Sequence, residues 1–309
     1  MVNPASGSEK GVRIAKAIVP ALAGMGLSAS AYVIQMTTLP PDYAALRRLI
    51  AGDCALVAVG GDGTVNDLVR AALEAGSDCA LGVIPVGTGN DLARVTGTHA
   101  LLARHGLEAV LRALLQGRTR PLDVWRAGDR LFTNYLSVGL DAAVTADFHV
   151  RRQLGLFPTG SVTGNKAAYA LCALKGLSRR IHGSRAELSL ADGSLLQLDL
   201  QGCTSFILAN IPSYGGGALS ACDIRQNDGL LQATIIRSPM SLAGMFLVQH
   251  LLPWHRSAYA AKLECLAVRK VILHLGQDEF LQMDGESCSE LVGRSLCVEK
   301  AGSVRLLHT

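Results

Sequence analysis

Two glycine-rich segments combine residue types that suit phosphate binding. Gly60-Gly61-Asp62-Gly63-Thr64-Val65-Asn66-Asp67 follows a short apolar run, Cys54–Val59, and leads into residues with helical spacing, Val65–Leu73. At a strand-to-helix junction the unpaired N–H groups and the helix dipole favour a phosphate. Glycines let the backbone approach its oxygens closely. Asp62 is suited to orient a metal-bound water or a substrate hydroxyl. The plainer alternative is a strand–helix turn in which Asp62 or Thr64 caps the helix. Pro85-Val86-Gly87-Thr88-Gly89-Asn90-Asp91-Leu92 repeats the arrangement after a second apolar run, Ala80–Ile84, and offers the Thr88 hydroxyl. Each loop alone is weak evidence. Two of them on successive parallel strands would face one crevice, where open α/β sheets take ligands. Neither segment is G-x-x-x-x-G-K-[ST], and Gly87-x-Gly89 lacks the third glycine of a dinucleotide fingerprint.

Near the other end of the chain, Asp284 and Glu286 are one residue apart. In an extended segment such side chains project to one side. One carboxylate can then take a proton from a hydroxyl while the other holds a metal or orients its neighbour. Asp284-Gly285 is also a strong hairpin signal, and from these residues alone a simple turn is the commoner explanation. Asp228-Gly229 reads the same way. Trp125 and Trp254 suit packing, and His105, His149, His182, His255 and His274 show no metal-ligand spacing.

The elements that must position these residues change character along the chain. Up to about residue 120, strand-like runs alternate with helical ones: Ala29–Met36, then Asp42–Ile50; Cys54–Val59, then Val65–Leu73; Ala80–Ile84, then Leu101–Leu115, closed by Gly117. Such alternation implies right-handed βαβ units and a parallel sheet, whose buried strands read as continuous apolar runs. Val2-Asn3-Pro4 resembles the end of a strand with almost nothing before it, so the expectation is a late start or a short first strand. After Pro121 the pattern turns to strands. Leu122–Arg126 and Arg130–Val138 flank Ala127-Gly128-Asp129, Lys166–Ser178 looks helical, and seven further strands are expected. These are Ala186–Leu190, Leu195–Leu200, Thr204–Asn210, Leu230–Arg237, the pair Lys262–Val268 and Lys270–Leu275, and Ser295–Lys300. This reads as an antiparallel sandwich. The residue pattern therefore predicts an α/β domain over 1–122 and a mostly β domain over 123–309, with Ser303–Leu307 a candidate to return to the first.

Composition sets the bounds. The chain has 309 residues, 49% apolar and 17% charged, which excludes disorder as the main state. A net charge of +4 is too mild for a nucleic-acid partner. The stretches Ala167–Leu177 and Leu242–Leu252 are too short and too interrupted to span a bilayer, and no signal peptide is visible. The cysteines at 54, 79, 172, 203, 222, 265, 288 and 297 form no C-x-x-C and mostly sit in apolar runs. They are expected to be buried free thiols in a reducing cytosol.

Taken together, Asn3-Pro4-Ala5-Ser6-Gly7, GGDGTVND and PVGTGNDLAR resemble the diacylglycerol kinase catalytic-domain family. That family includes soluble YegS-like bacterial lipid kinases and sphingosine kinases, and it is related to NAD kinases. Phe132–Gly139, Ala209-Asn210 through Tyr214-Gly215-Gly216-Gly217, Asn227–Leu231 and Met283–Glu286 continue the resemblance in order along nearly the whole chain. The resemblance implies a Rossmann-like α/β nucleotide-binding domain followed by a mostly antiparallel β-sandwich domain for the lipid, with ATP in the cleft between them. By motif, Gly61, Asp62, Gly63, Thr64, Val65, Asn66, Asp67 and Thr88 would bind ATP, joined by Thr37 on a looser alignment. Glu286 would be the general base, with Asp284 the other candidate. A structural Mg²⁺ would map onto Asp228 and the backbone carbonyls of Arg225 and Leu230. The implied activity is transfer of the γ-phosphoryl group of ATP to a lipid hydroxyl of diacylglycerol, phosphatidylglycerol or sphingoid type. The implied setting is the cytoplasm, peripheral to the inner face of the membrane, and many relatives are homodimers. Arg151-Arg152 before Leu154-Gly155-Leu156-Phe157-Pro158, and Lys175, Arg179, Arg180 and Arg185, suit an anionic surface or equally a solvated helix face. The rivals are a kinase of a soluble substrate, like NAD kinase, and a non-catalytic lipid- or nucleotide-binding regulator. The retained Gly61, Asp62, Gly63, Asp284 and Glu286 speak against the latter.

Overall fold

The computed structural model of the chain describes residues 1–4, 6–7, 10–38, 41–50, 54–156, 162–219, 224–251 and 263–309. They form two compact units, Met1–Leu122 with Gly302–Thr309, and Asp123–Ala301.

In the first unit, β1 (Leu56–Gly60) and β2 (Ala80–Pro85) pair in parallel, Leu56 opposite Leu81 through Gly60 opposite Pro85. The last strand, β15 (Ser295–Leu307), adds Arg305 and Leu306 in parallel against Ala80 and Leu81. On the other edge Val2 makes parallel bridges to both Val59 and Met36. α1 (Lys10–Gly24) and α5 (Thr98–Leu115) supply Ala15, Ile18, Leu22, Val110 and Leu114 to a core shared with Val59, Ile84 and Leu307. α2 (Tyr43–Ile50) and α3 (Asp62–Glu74) pack on each other, and α3 on β1 and β2. α4 (Asp91–Val95) is a single short turn after β2.

Two expectations need correction here. Ala29–Met36 is not a strand: Ala29–Ala31 is a 3-10 turn, and of the segment only Met36 pairs, with Val2. Its alternation reflects a sheet edge where Val33 is 74% exposed, not a buried strand. The Leu101–Leu115 run is broken at Gly106 (φ 78°), a left-handed value that glycine adopts without strain.

In the second unit, β3 (Thr119–Ala127) pairs antiparallel with β4 (Arg130–Phe132). β5 (Tyr135–Gly139), β8 (Ser205–Ala209), β11 (Leu231–Ile236) and β12 (Glu264–His274) run side by side, each antiparallel to the next. β12 also pairs with β6 (Arg185–Leu190) and β15, and β6 with β7 (Leu195–Asp199). β12 merges the two strands expected around Arg269. A register shift between Val268 and Lys270 interrupts its alternation, as a bulge does. Two-residue periodicity sorts the side chains of β8. Phe206 and Leu208 enter one core with Trp125, Phe132 and Val271; Ile207 and Ala209 enter another with residues of α6 (Leu140–Gln153), α7 (Val162–Gly176) and α8 (Pro239–Leu251). Two short strands, β13 (Leu281–Met283) and β14 (Glu286–Ser287), form a hairpin whose first arm pairs with β5. The minor pair β9 (Ser213–Tyr214) and β10 (Ala218–Leu219) completes the set.

Six described cysteines are free, and burial pushes the Cys172 thiol to about 11 and the Cys288 thiol to about 12. Cys265 departs from the expectation, because it is disulfide-bonded. Cys222, Trp254 and His255 lie outside the described residues. No helix of the described residues is long and apolar enough to cross a membrane.

Candidate active site

The first unit brings three loops together. β1 and β2 are in register, so the glycine loops that follow them emerge side by side. A Cβ on Gly87 would lie 2.7 Å from the Gly61 Cα, closer than real Cβ atoms come to backbone. One on Gly60 would lie 2.4 Å from the Thr64 hydroxyl, and one on Gly7 (φ 63°) 2.2 Å from the Val86 carbonyl. Only glycine permits this approach of backbones. Asn3 Nδ2 donates to the Thr64 Oγ1 at 3.1 Å, tying the N-terminal segment to the same place.

The side chains expected to bind ATP separate by burial. Gly63 and Thr88 are exposed; Thr37, Gly61, Asp62, Asn66 and Asp67 are half-buried. Thr64 and Val65 are buried, 3% and 1% exposed, and their N–H groups both donate to the Gly61 carbonyl, at 3.0 and 3.3 Å, so the structure does not turn them toward a ligand. Thr37 follows Met36, and its N–H donates to the Val2 carbonyl at 2.8 Å, beside the end of β1. Asp62 is a clamp. Its Oδ2 accepts the Asp91 N–H and its Oδ1 the Leu92 N–H, both at 3.1 Å, so the first loop holds the start of α4. Asp67 accepts the Tyr43 hydroxyl at 2.9 Å. Asn90, absent from the expected set, adopts a left-handed φ of 55° and donates from Nδ2 to the Gly87 carbonyl at 2.6 Å. Its Oδ1 is buried beside Gly87 and Gly61 with no partner among the described residues. Glycines that a Cβ would block and a 13-residue helix starting at Asp62 fit a polyphosphate ligand, whereas the orphaned Asn90 Oδ1, an acceptor, suits a hydroxyl, an amine or a metal ion rather than a phosphate oxygen. Gly87→Ala is expected to weaken ATP binding by at least about tenfold, roughly 1.4 kcal/mol, because the loops must part. Calorimetric titration reads this, and unchanged affinity would show that the loops separate freely.

In the second unit the β13–β14 hairpin presents the two carboxylates differently. Asp284 is 8% exposed and takes a left-handed φ of 49° at the turn. Its Oδ1 accepts the Asn134 and Tyr135 N–H groups, each at 2.8 Å. Its Oδ2 accepts the Thr133 N–H at 2.7 Å and the Thr133 hydroxyl at 3.2 Å. Four bonds fill the roughly four acceptor sites of a carboxylate. The Thr133 backbone is held from behind by buried Asn210, whose Nδ2 donates to the Thr133 carbonyl at 2.6 Å and whose Oδ1 accepts the Trp125 indole N–H at 3.0 Å. Asp284 thus fixes the turn, whereas Glu286, directly opposite Met283, is exposed.

Tyr169 on α7 stacks on Phe148 of α6, with centroids 4.0 Å apart. Burial raises its phenol to about 12, against a hydrogen bond with Thr145 that lowers it and with the nearby negative charge of Glu286 adding to the rise. Burial, then the bond to Asp67, likewise raises Tyr43 to about 12. Both phenols therefore remain protonated donors past pH 10. Because the neutral form is favoured by the fold, this stabilisation is complete below pH 10 and is lost between pH 10 and about 12. Ultraviolet titration should find both ionising after an ordinary tyrosine; ionisation of both near pH 10 would contradict their burial.

The Asp228 turn is supported from below. Asp123, 1% exposed, accepts the Gly229 N–H at 2.8 Å and pairs with Lys300 at 2.7 Å. Asp228 is exposed, and its Oδ1 accepts the Leu230 N–H at 3.0 Å. One carboxylate with the Arg225 and Leu230 carbonyls is a hard oxygen donor set that suits Mg²⁺. The described residues hold no group of three or more His, Cys, Asp or Glu that could cage a metal.

This architecture is that of solved diacylglycerol kinases. The crystal structure of one from Bacillus anthracis matches all of this chain and 95% of its own, with a TM-score of 0.64 at 19% identity. At the level of sequence, the model of the diacylglycerol kinase catalytic domain matches residues 1–127, and that of the diacylglycerol kinase accessory domain residues 131–287. The chain belongs to the diacylglycerol kinase family. A probable lipid kinase YegS-like of Pseudomonas aeruginosa is 31% identical over 203 residues, 63% of this chain and 59% of that protein. An eye-specific diacylglycerol kinase of Drosophila melanogaster is 28% identical over 292 residues, 79% of this chain and 19% of that protein. The chain thus spans about three fifths of the length of the bacterial relatives it matches.

Proposed function

We propose that this protein is an ATP- and Mg²⁺-dependent lipid kinase that phosphorylates the hydroxyl of a lipid. The observation that carries the reading is the division of labour on the β13–β14 hairpin. Asp284 is saturated by the backbone of residues 133–135, and Glu286 beside it is exposed to receive a proton. ATP with Mg²⁺ supplies the transferable γ-phosphoryl group and part of the charge neutralisation. Gly61 and Gly63, at the start of α3, receive phosphate oxygens on backbone N–H groups, and Thr88 offers its hydroxyl. Thr37, Asn66 and Asp67 complete that side, with Asp62 holding the two loops in register. Glu286 accepts the proton of the lipid hydroxyl as the new P–O bond forms. Asp228 and the carbonyls of Arg225 and Leu230 hold a structural Mg²⁺.

A membrane surface supplies the substrate. Of thirteen large apolar side chains exposed among the described residues, six lie between Val150 and Leu177, with Leu154 at 68% and Leu174 at 65%. Arg151, Arg152, Lys175, Arg179 and Arg180 flank them, and each basic group near an anionic surface contributes about 1 kcal/mol. Phe157 and Pro158 lie outside the described residues. A kinase of a soluble substrate is the runner-up reading. The test is ADP release with Mg²⁺ and a panel of dispersed lipids, NAD serving as the soluble control. Release with a lipid alone supports the proposal, and release with NAD alone overturns it.

A further inference from the structure

We propose that Asp141 is a positioning residue of the acceptor side, holding the turn that bears Glu286 and keeping one oxygen for a donor on the bound head group. The inference rests on the kinase reading and deepens it. Asp141 lies in the first turn of α6, which packs against β13 and β14. Its Oδ2 accepts two hydroxyls, from Ser137 and Tyr214. The direction of the bonds beyond them is fixed. Gln282 Oε1 accepts the Gly285 N–H at 2.8 Å, and that N–H can only donate. The amide nitrogen of Gln282 therefore faces Ser137 Oγ, at 2.7 Å. Since that nitrogen can only donate, the Ser137 proton must go to Asp141. A one-way line thus runs from the backbone of the turn, through Gln282 and Ser137, to a single carboxylate oxygen. Ser137, Gln282 and Tyr214 are all buried, so water does not compete along it.

Asp141 Oδ1 is buried and has no partner among the described residues. An asparagine here would accept the same two hydroxyls and leave a neutral NH2 unpaired in place of a charged oxygen, the costlier of the two to bury, so stability does not explain the charge. A group whose presence runs against stability points to function. The charge strengthens the bonds to Ser137 and Tyr214, and Oδ1 remains to accept an O–H or N–H of the lipid head group. Thr145 and Phe148, one and two turns further along α6, face Tyr169, the phenol that senses the charge of Glu286.

The experiment compares Asp141→Asn and Ser137→Ala with the unsubstituted full chain. Asp141→Asn should match or exceed it in Tm and bind ATP within about twofold by direct titration. The same variant should lose at least about 30-fold in kcat with a lipid acceptor. Ser137→Ala cuts the line but keeps the charge. It should lower kcat by about tenfold and speed hydrogen exchange at the Gly285 amide by at least about tenfold. Turnover of Asp141→Asn within about threefold of the parent, a parallel fall of Tm and turnover, or an unchanged Gly285 amide would each overturn the proposal. If the unsubstituted chain binds ATP yet phosphorylates no lipid, the kinase reading fails instead. The Gly285 exchange then decides on the line of hydrogen bonds by itself.

Discussion

Glu286→Gln should lower phosphoryl transfer to lipid by about 10²–10⁴-fold, the usual contribution of a general base, with ATP affinity unchanged. Glutamine keeps the size of the side chain but cannot take a proton from a lipid hydroxyl. Because Glu286 is exposed and on a hairpin arm, no core contact is lost, and Tm should remain within a few degrees of the parent. Steady-state kinetics with saturating ATP and lipid, beside calorimetric ATP titration, separates the two quantities. Turnover within about threefold of the parent would remove Glu286 from the chemistry.

Asp284→Ala should behave in the opposite manner, losing stability and activity together. Removing the carboxylate strands three backbone N–H groups, of Thr133, Asn134 and Tyr135, in a site that is 8% exposed. A buried donor left without an acceptor costs about 1–3 kcal/mol. Even with partial relaxation, at least about 3 kcal/mol of unfolding free energy should vanish. Denaturant unfolding measures this. Turnover falls as well, because the turn that aims Glu286 loses its anchor. A stable but inactive Asp284→Ala protein would mean that Asp284 acts on the reactants rather than on the fold, reversing the roles assigned to the two carboxylates.

These contrasts show where sequence reading succeeds and where it stops. β1, β2 and β8 are buried on both faces over most of their length, so their apolar runs were legible as strands. The glycine loops were legible too, because close backbone approach leaves glycine as the one residue type that fits. α6 went unseen: it starts directly after β5 from Gly139, with φ 105° and no side-chain cap, so the apolar run passes from strand to helix without punctuation. The clamp made by Asp62 was not legible, because the amides it holds are 29 and 30 residues away. Asp284 is the extreme case. Its partners lie about 150 residues earlier in the chain, and only tertiary contact distinguishes a saturated carboxylate from an available one. The line from Gly285 to Asp141 escaped for the same reason, since Ser137 and Gln282 are 145 residues apart.

The most direct test follows γ-labelled ATP into the organic phase after incubation with Mg²⁺ and dispersed lipid, with the parent and Glu286→Gln side by side. Label in lipid product from the parent, and almost none from Glu286→Gln, is the result expected of a lipid kinase whose base is Glu286. Equal labelling by both proteins, or label confined to inorganic phosphate in both, would contradict it.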